Sequence, residues 1–199
     1  MTFYPSTQPS FRAKLIAAAL FTSSLLFGGL ASPPAAHAET YSSCLAAISE
    51  DADASYDVAL AWYAQGGGAA ALHCAALALT ELKLYDGAAE RLEELAKRPD
   101  AGSEIERAQI LEQAGNAWML AGKPTKAAAA FSNAMSFLPG DIALQLSRAR
   151  IYLFAGNHSA ALSDLDAVIT KRPFWGEAYL LRGRTHRLTG KLRFASADL

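Results

Sequence analysis

Several features that define common protein classes are scarce in this sequence. Valine and isoleucine are rare and alanine is abundant, a composition that favours close-packed helices over strands. The formal net charge is -1, which argues against a nucleic-acid binder, because such proteins neutralise phosphates with excess basic residues. No phosphate-binding glycine loop, zinc-ligand cluster or nucleophile elbow is present in the sequence. We therefore expect no enzyme, no cofactor and no metal.

Long apolar runs are also missing, except for one near the N-terminus. Two basic residues precede an uncharged apolar stretch, residues 15–31, and the small-residue pattern Ala-His-Ala follows at 36–38. This order is typical of a secretory signal peptide. We predict that residues 1–38 are a signal peptide and that the mature chain begins at Glu39 in the bacterial periplasm. A retained membrane anchor is the alternative, because the run is marginally long enough to cross a bilayer.

A set of small, aromatic and proline residues recurs every 34 positions in the C-terminal half. The small residues allow two helices to approach closely, and an aromatic residue three positions later fills the space beside them. Glycine then ends the first helix, and proline stops the second. The successive sets are Gly115, Trp118, Gly122, Ala127, Phe131 and Pro139; Ala149, Tyr152, Gly156, Ala161, Leu165 and Pro173; and Gly183, His186, Gly190 and Ala195.

This 34-residue helix-turn-helix pattern resembles the tetratricopeptide-repeat (TPR) family. The resemblance implies an exported bacterial member with an all-α fold, a right-handed superhelical array of antiparallel helix pairs. Residues 39–68 are predicted to form an N-terminal helical pair, or cap, before the first repeat. The predicted repeats span residues 69–102, 108–141, 142–175 and 176–199, the last of them incomplete.

The first repeat departs from the pattern at two places. Lys83 stands where glycine is usual, and about five extra residues separate this repeat from the next one. Within the insertion, Ser103 and Glu106 have the spacing of a capping box, which predicts a new helix beginning there.

Cys44 and Cys74 are the only cysteines of the sequence. In a stacked array, the first helices of neighbouring pairs lie side by side, so the two thiols would lie at similar heights. In an oxidising compartment this arrangement predicts a disulfide that joins the N-terminal pair to the first repeat. Two buried free thiols are the alternative.

Function in the TPR family resides in a concave groove lined by the first helix of each pair. The resemblance therefore implies a peptide or protein partner. The net charge argues against nucleic acid, and the lack of a second long apolar run predicts no stable membrane insertion after cleavage. Asn116, Arg150 and Arg184 occupy equivalent places in three successive repeats. The predicted groove residues are Asn116, Met119, Leu146, Arg150, Leu153, Leu180, Arg184 and Arg187.

Charge is unevenly distributed along the chain, with nine basic against four acidic residues after residue 141. A basic C-terminal groove that also includes Arg148 and Arg182 would receive an acidic peptide, an anionic lipid or a glycan. We predict an exported interaction scaffold or adaptor in cell-envelope assembly or maturation. The alternative is a structural module that self-associates through an apolar C-terminal face at Leu192, Phe194 and Leu199. The sequence leaves open whether the protein continues beyond Leu199.

Overall fold

A computed structural model describes the backbone of residues 34–198 and the side chains of residues 40–198. Most of the predicted signal peptide, residues 1–33, lies outside the described residues, and so does Leu199. Within 34–198, no helix combines the length and apolar character that crossing a membrane requires.

The described residues form ten α-helices in which each helix contacts the next, and α1 also contacts α3. The expected all-α array of helix pairs is confirmed. A π-helical turn (Tyr63–Gly67), kinked at Gly66, joins the second helix to the third. The helices are α1 (Pro34–Ile48), α2 (Ala52–Trp62), α3 (Gly68–Glu81), α4 (Tyr85–Lys97), α5 (Glu104–Leu120), α6 (Pro124–Phe137), α7 (Ile142–Phe154), α8 (His158–Lys171), α9 (Gly176–Leu188) and α10 (Leu192–Ala197).

The ends of the helices follow the residues that the sequence places there. Gly122, Gly156 and Gly190 come just after α5, α7 and α9, and their φ angles lie between 71° and 74°. Lys83 takes the same position after α3 with φ 61°, and no other non-glycine residue of the described chain has a positive φ. The repeat therefore imposes a left-handed residue here even where the sequence offers lysine.

The long helix α5 begins where the insertion predicts. The Ser103 side chain accepts the backbone N–H of Glu106, and the Glu106 carboxylate accepts the backbone N–H of Ser103 at 2.7 Å. This capping box satisfies two donors that a helix start otherwise leaves unpaired. The chain thus restarts the array after the loop that follows α4.

The two helices of a pair close on each other through small residues. A Cβ added at Gly115 on α5 would lie 2.5 Å from the ring of Phe131 on α6, so only glycine fits. Ala127 and Ala161 are fully buried at the crossings, and Leu165 is fully buried beside the second one. Three buried clusters result, one for α1–α3, one centred on α3–α6 and one for α7–α9.

The N-terminal pair is fastened to the first repeat by the predicted disulfide. Cys44 on α1 and Cys74 on α3 are bonded, with their Cα atoms 6.4 Å apart. Both are buried with Ala59 and Ala75. A second attachment joins α2 to α4, where Arg91 donates to the Tyr56 hydroxyl at 2.6 Å.

Replacing Lys83 with glycine should stabilise the protein. The left-handed conformation costs a non-glycine residue roughly 1–2 kcal/mol, and the larger freedom of glycine in the unfolded chain offsets part of that gain. We expect the free energy of unfolding, measured by urea titration, to rise by about 0.5–1 kcal/mol. The matched control is Gly122→Lys, which meets no neighbouring atom and should lower it. Destabilisation by Lys83→Gly would contradict the conformational explanation.

Removing the disulfide should destabilise the chain by an amount set by the loop it closes. With a sequence separation of 30 between the cysteines, loop-closure entropy gives about 3.6 kcal/mol. We expect the Cys44→Ala/Cys74→Ala variant to unfold at a lower urea concentration than the oxidised protein, and a reductant to shift only the wild-type curve. An unchanged midpoint would show that the bond contributes nothing.

A groove along the first helices of the C-terminal repeats

The three residues predicted to align do line one groove. Asn116 on α5, Arg150 on α7 and Arg184 on α9 border an open cavity of 560 Å³. Each comes from the first helix of its pair, so the groove runs across three repeats. Its other lining residues are Met119, Phe131, Ser147, Ile151, Leu153, Phe154, Glu177, Leu181 and Leu188.

Five of the eight predicted groove residues line this cavity, and three do not. Leu146 is wrong, because it lies in the core, 1% exposed, in a cluster with Ala178 of the following helix. Leu180 occupies the same place one repeat later and is 57% exposed, since the described residues include no first helix after α10 that could cover it. Arg187 is exposed outside the lining. Leu146 therefore faces the next repeat rather than the groove.

A row of exposed apolar side chains, which the sequence analysis did not identify, runs beside the polar row. Leu120, Phe154 and Leu188 lie four residues after Asn116, Arg150 and Arg184, and they are 59%, 69% and 55% exposed. Their spacing of one repeat could have identified this row from the sequence. An apolar residue that recurs at the end of each first helix, outside the residues that pack the pair, indicates an exposed surface. Two of the three line the cavity.

The charge of the groove is smaller than the sequence suggests. Arg150 is in an ion pair with Glu177, and its Nε donates to that carboxylate at 3.1 Å. Arg184 has no ion-pair partner among the described residues. The groove therefore presents one uncompensated guanidinium at its C-terminal end, with an internally neutralised pair beside it.

Arg148 and Arg182, expected in the basic groove, serve a structural purpose instead. Arg148 donates to the buried Asp164 carboxylate at 2.9 and 2.8 Å and to the Ser132 hydroxyl at 2.9 Å. Asp164 raises the pKa of Arg148 through these hydrogen bonds, which outweigh burial. The prediction of a five-arginine groove is wrong because these guanidinium groups reach the second helices.

The same arrangement recurs one repeat later. Arg182 donates to Asp198 at 2.9 Å and to Asp166 at 2.7 Å. The pKa of Arg182 is raised, and the main cause is its hydrogen bonds with Asp198. Every partner lies one full repeat after its counterpart in the preceding network, including Asp166, which takes the place of Ser132. Each arginine thus ties its own second helix to that of the preceding pair.

A second cavity, of 280 Å³, lies between the first helices of the N-terminal pairs. His73 on α3 bridges α1 and α5 there. Its Nδ1 accepts from the Tyr41 hydroxyl at 2.6 Å, and its Nε2 donates to Gln113 Oε1 at 2.8 Å. Burial lowers the pKa of His73, and the hydrogen bond with Gln113 opposes this in part. The bridge requires the neutral ring, because a protonated Nδ1 cannot accept a hydrogen bond.

Within the described residues, no group of histidine, cysteine and acidic side chains is placed to hold a metal ion. What the groove offers is a surface with alternating polar and apolar rows, together with one free guanidinium. Such a surface suits a segment of another protein, because apolar side chains supply affinity and a few polar groups set orientation.

No family model matches the sequence, and no curated protein matches it either. Solved structures do match. MamA is 17% identical, covers 81% of this chain and 88% of its own, and superposes with a TM-score of 0.62. YrrB, a TPR protein with an unusual peptide-binding site, is 18% identical, covers 80% and 76%, and gives 0.60. The fold is that of the TPR proteins.

A third match extends this likeness to another TPR-like chain. PilF of Pseudomonas aeruginosa is 20% identical, covers 82% of this chain and 72% of its own, and superposes with a TM-score of 0.57. All three chains are matched over most of their length. At these identities the likeness establishes the architecture, and the side chains of the groove are this chain's own.

The buried imidazole predicts a dependence of stability on pH. Because the pKa of His73 is lower in the folded chain than its ordinary value of about 6.5, the unfolded chain binds a proton first as the pH falls. The contribution of neutral His73 is present above that value and is lost as the pH falls below it. We expect the free energy of unfolding to decline below about pH 6.5 and the decline to be shallower in His73→Gln. Identical slopes in both proteins would contradict this assignment.

Proposed function

We propose that this chain is an exported interaction scaffold that binds a segment of another protein in the groove across α5, α7 and α9. The observation that carries the proposal is the pairing of two rows at equal repeat spacing. Asn116, Arg150 and Arg184 form the polar row, and an exposed apolar residue follows each of them by one helical turn. Single exposed apolar residues are common, but a periodic row beside a cavity marks a binding surface.

The partner segment is proposed to carry apolar side chains and at least one carboxylate. Apolar side chains would cover Phe154 and Leu188, whose exposure to water is unfavourable. A carboxylate would pair with Arg184, the groove cation that has no internal partner. Arg150 is already paired with Glu177 and would donate hydrogen bonds to polar groups of the segment. The peptide-binding site of YrrB, on the same fold, agrees with this use of the architecture.

The export half of the proposal is supported by the Cys44–Cys74 bond. A disulfide in a small helical protein is typical of an oxidising compartment such as the bacterial periplasm. The order of residues in 1–38 favours the same route. A role in assembly or maturation of the cell envelope is the setting that we propose for this scaffold.

A second candidate function is self-association through the C-terminal face. The observation that favours it is the exposure of Leu180, Leu192 and Phe194, which are 57%, 66% and 62% exposed on α9 and α10. Substitutions in the groove separate the two candidates. They should abolish peptide binding and leave association through α9 and α10 unchanged.

Selection of a phage-displayed random peptide library on the purified protein tests the first proposal. We expect the selected peptides to share apolar positions and an acidic residue. Arg184→Glu should weaken their binding by about ten-fold or more, which corresponds to about 1.4 kcal/mol, because it places a carboxylate against a carboxylate. Met119→Lys should weaken binding as well, by placing a charge in the apolar part of the groove.

The matched control is Arg187→Glu, the same charge change three residues along α9 but outside the groove lining. We expect this variant to bind the selected peptides as the wild type does, by isothermal titration calorimetry. Equal losses in Arg184→Glu and Arg187→Glu would indicate a general charge effect and remove the groove as the binding site.

A further inference from the structure

The loop between α8 and α9 exposes an aromatic residue that no core requires. Phe174 is 99% exposed, the highest value among the exposed large apolar residues of the described chain. Lys171 and Arg172 precede it, and Trp175 follows. With Pro173, these residues line an open cleft of 440 Å³ that contains no residue of the peptide groove.

The corresponding loop one repeat earlier, between α6 and α7, allows the residues of the two turns to be compared. There, Asp141 N–H donates to Leu138 at 3.1 Å, and in the α8–α9 loop Trp175 N–H donates to Arg172 at 3.2 Å. Both turns therefore close with the same backbone hydrogen bond. They differ at their third residue, where Gly140 has φ 82° and Phe174 has a negative φ. The α8–α9 loop thus exposes a phenyl ring at a place where the earlier turn has no side chain.

The start of α9, which follows this loop, also differs from the start of α7. Asp141 accepts the N–H groups of Ala143 and Leu144, both at 2.9 Å, and so caps α7. Trp175 occupies this place before α9 and makes no side-chain capping bond. Two residues that favour local structure are absent from the α8–α9 loop, and two aromatic residues stand in their places. Packing accounts in part for Trp175, whose half-buried ring contacts the core cluster of Leu146 and Ala178. It does not account for Phe174, which is exposed.

The loop also keeps its positive charge. The guanidinium of Arg172 lies 5.6 Å from the centroid of the Trp175 ring, and Lys171 donates to the Gly140 carbonyl at 3.2 Å. Neither residue has an ion-pair partner among the described residues. The nearest acidic residues in sequence, Asp166 and Glu177, are paired with other arginines.

We propose that the α8–α9 loop docks on the surface of a bilayer that contains anionic phospholipid. Phe174 enters the interface between headgroups and acyl chains, and Trp175 lies at headgroup level, where indoles concentrate. Lys171 and Arg172 contact the phosphates. Successive turns of an antiparallel array alternate between its two edges, so this contact uses one edge and leaves the groove on the first helices open. The inference does not depend on the proposed peptide binding.

Fluorescence quenching by brominated lipids tests the proposal in the full-length protein. The apolar run of residues 15–31 is the same in every variant and would bring all of them to the vesicles, so the readout has to be local to the loop. Trp175→Phe defines the background from Trp62 and Trp118, and the excess quenching of the wild type reports Trp175. We expect this excess with brominated phosphatidylglycerol vesicles and little of it with brominated phosphatidylcholine.

Substitutions in the loop then identify the contacts. Phe174→Ser should remove the excess quenching. Lys171→Glu/Arg172→Glu should reduce the excess quenching by about ten-fold or more. The matched controls lie at the α9–α10 turn, on the opposite edge: Lys191→Glu/Arg193→Glu repeats the charge change, and Leu192→Ser removes an exposed apolar side chain. Both should behave as the wild type.

Three results would overturn the proposal. The first is quenching equal to that of Trp175→Phe, which would show that the loop does not contact the bilayer. The second is equal quenching with the two lipids, and the third is an equal loss in the opposite-edge controls. Circular dichroism of each variant, with the helical signal of the wild type, confirms that the exposed substitutions leave the fold intact.

Discussion

The close approach of two helices within each pair is the constraint on which the other features depend. At Gly115 the gap to Phe131 leaves no room for a methyl group, and the equivalent positions Ala149 and Gly183 are also small. This contact fixes the distance between the helices of a pair. A small residue recurs at this position in each repeat, so each pair can close in a similar way. The first helices consequently present residues of the same register at regular intervals, which is what turns three separate side chains into a row.

The stacking of one pair on the next is fixed by a different kind of interaction. Arg148 and Arg182 connect consecutive second helices through the nearly buried carboxylates of Asp164 and Asp198. Burying a charge is unfavourable unless it is paired, so each buried carboxylate requires its arginine to stay in contact with it. At the N-terminal end the Cys44–Cys74 bond joins neighbouring pairs instead. Covalent and ionic links thus hold different parts of the array.

Much of the architecture could be predicted from the sequence because the repeat encodes local geometry. The glycine after each first helix, the prolines that stop the second helices and the capping box at Ser103 act within a few residues, and each lies where predicted. The disulfide followed from the same register. These signals require no knowledge of what the chain contacts at a distance.

The groove was predicted less completely because its membership depends on the neighbouring repeat. Leu146 and Arg150 lie one helical turn apart on α7, yet α9 covers the first and leaves the second exposed. Arg148 was assigned to the groove by its charge, whereas its hydrogen bonds with Asp164 direct it to α8. Helical spacing gives the direction of a side chain about the helix axis, but it does not give the neighbouring helix that the side chain meets.

The arginine network and the groove are coupled through the helices that carry both. Arg148 and Arg150 are two residues apart on α7, so their side chains leave the helix on different faces. The network on one face joins α7 to α6 and α8, and the spacing of the Asn116, Arg150 and Arg184 row on the other face depends on where α7 lies. Loss of the Arg148–Asp164 pair would therefore alter the groove without removing any residue that lines it. Recognition of a segment in the proposed groove would accordingly depend on an ion pair that does not line the groove.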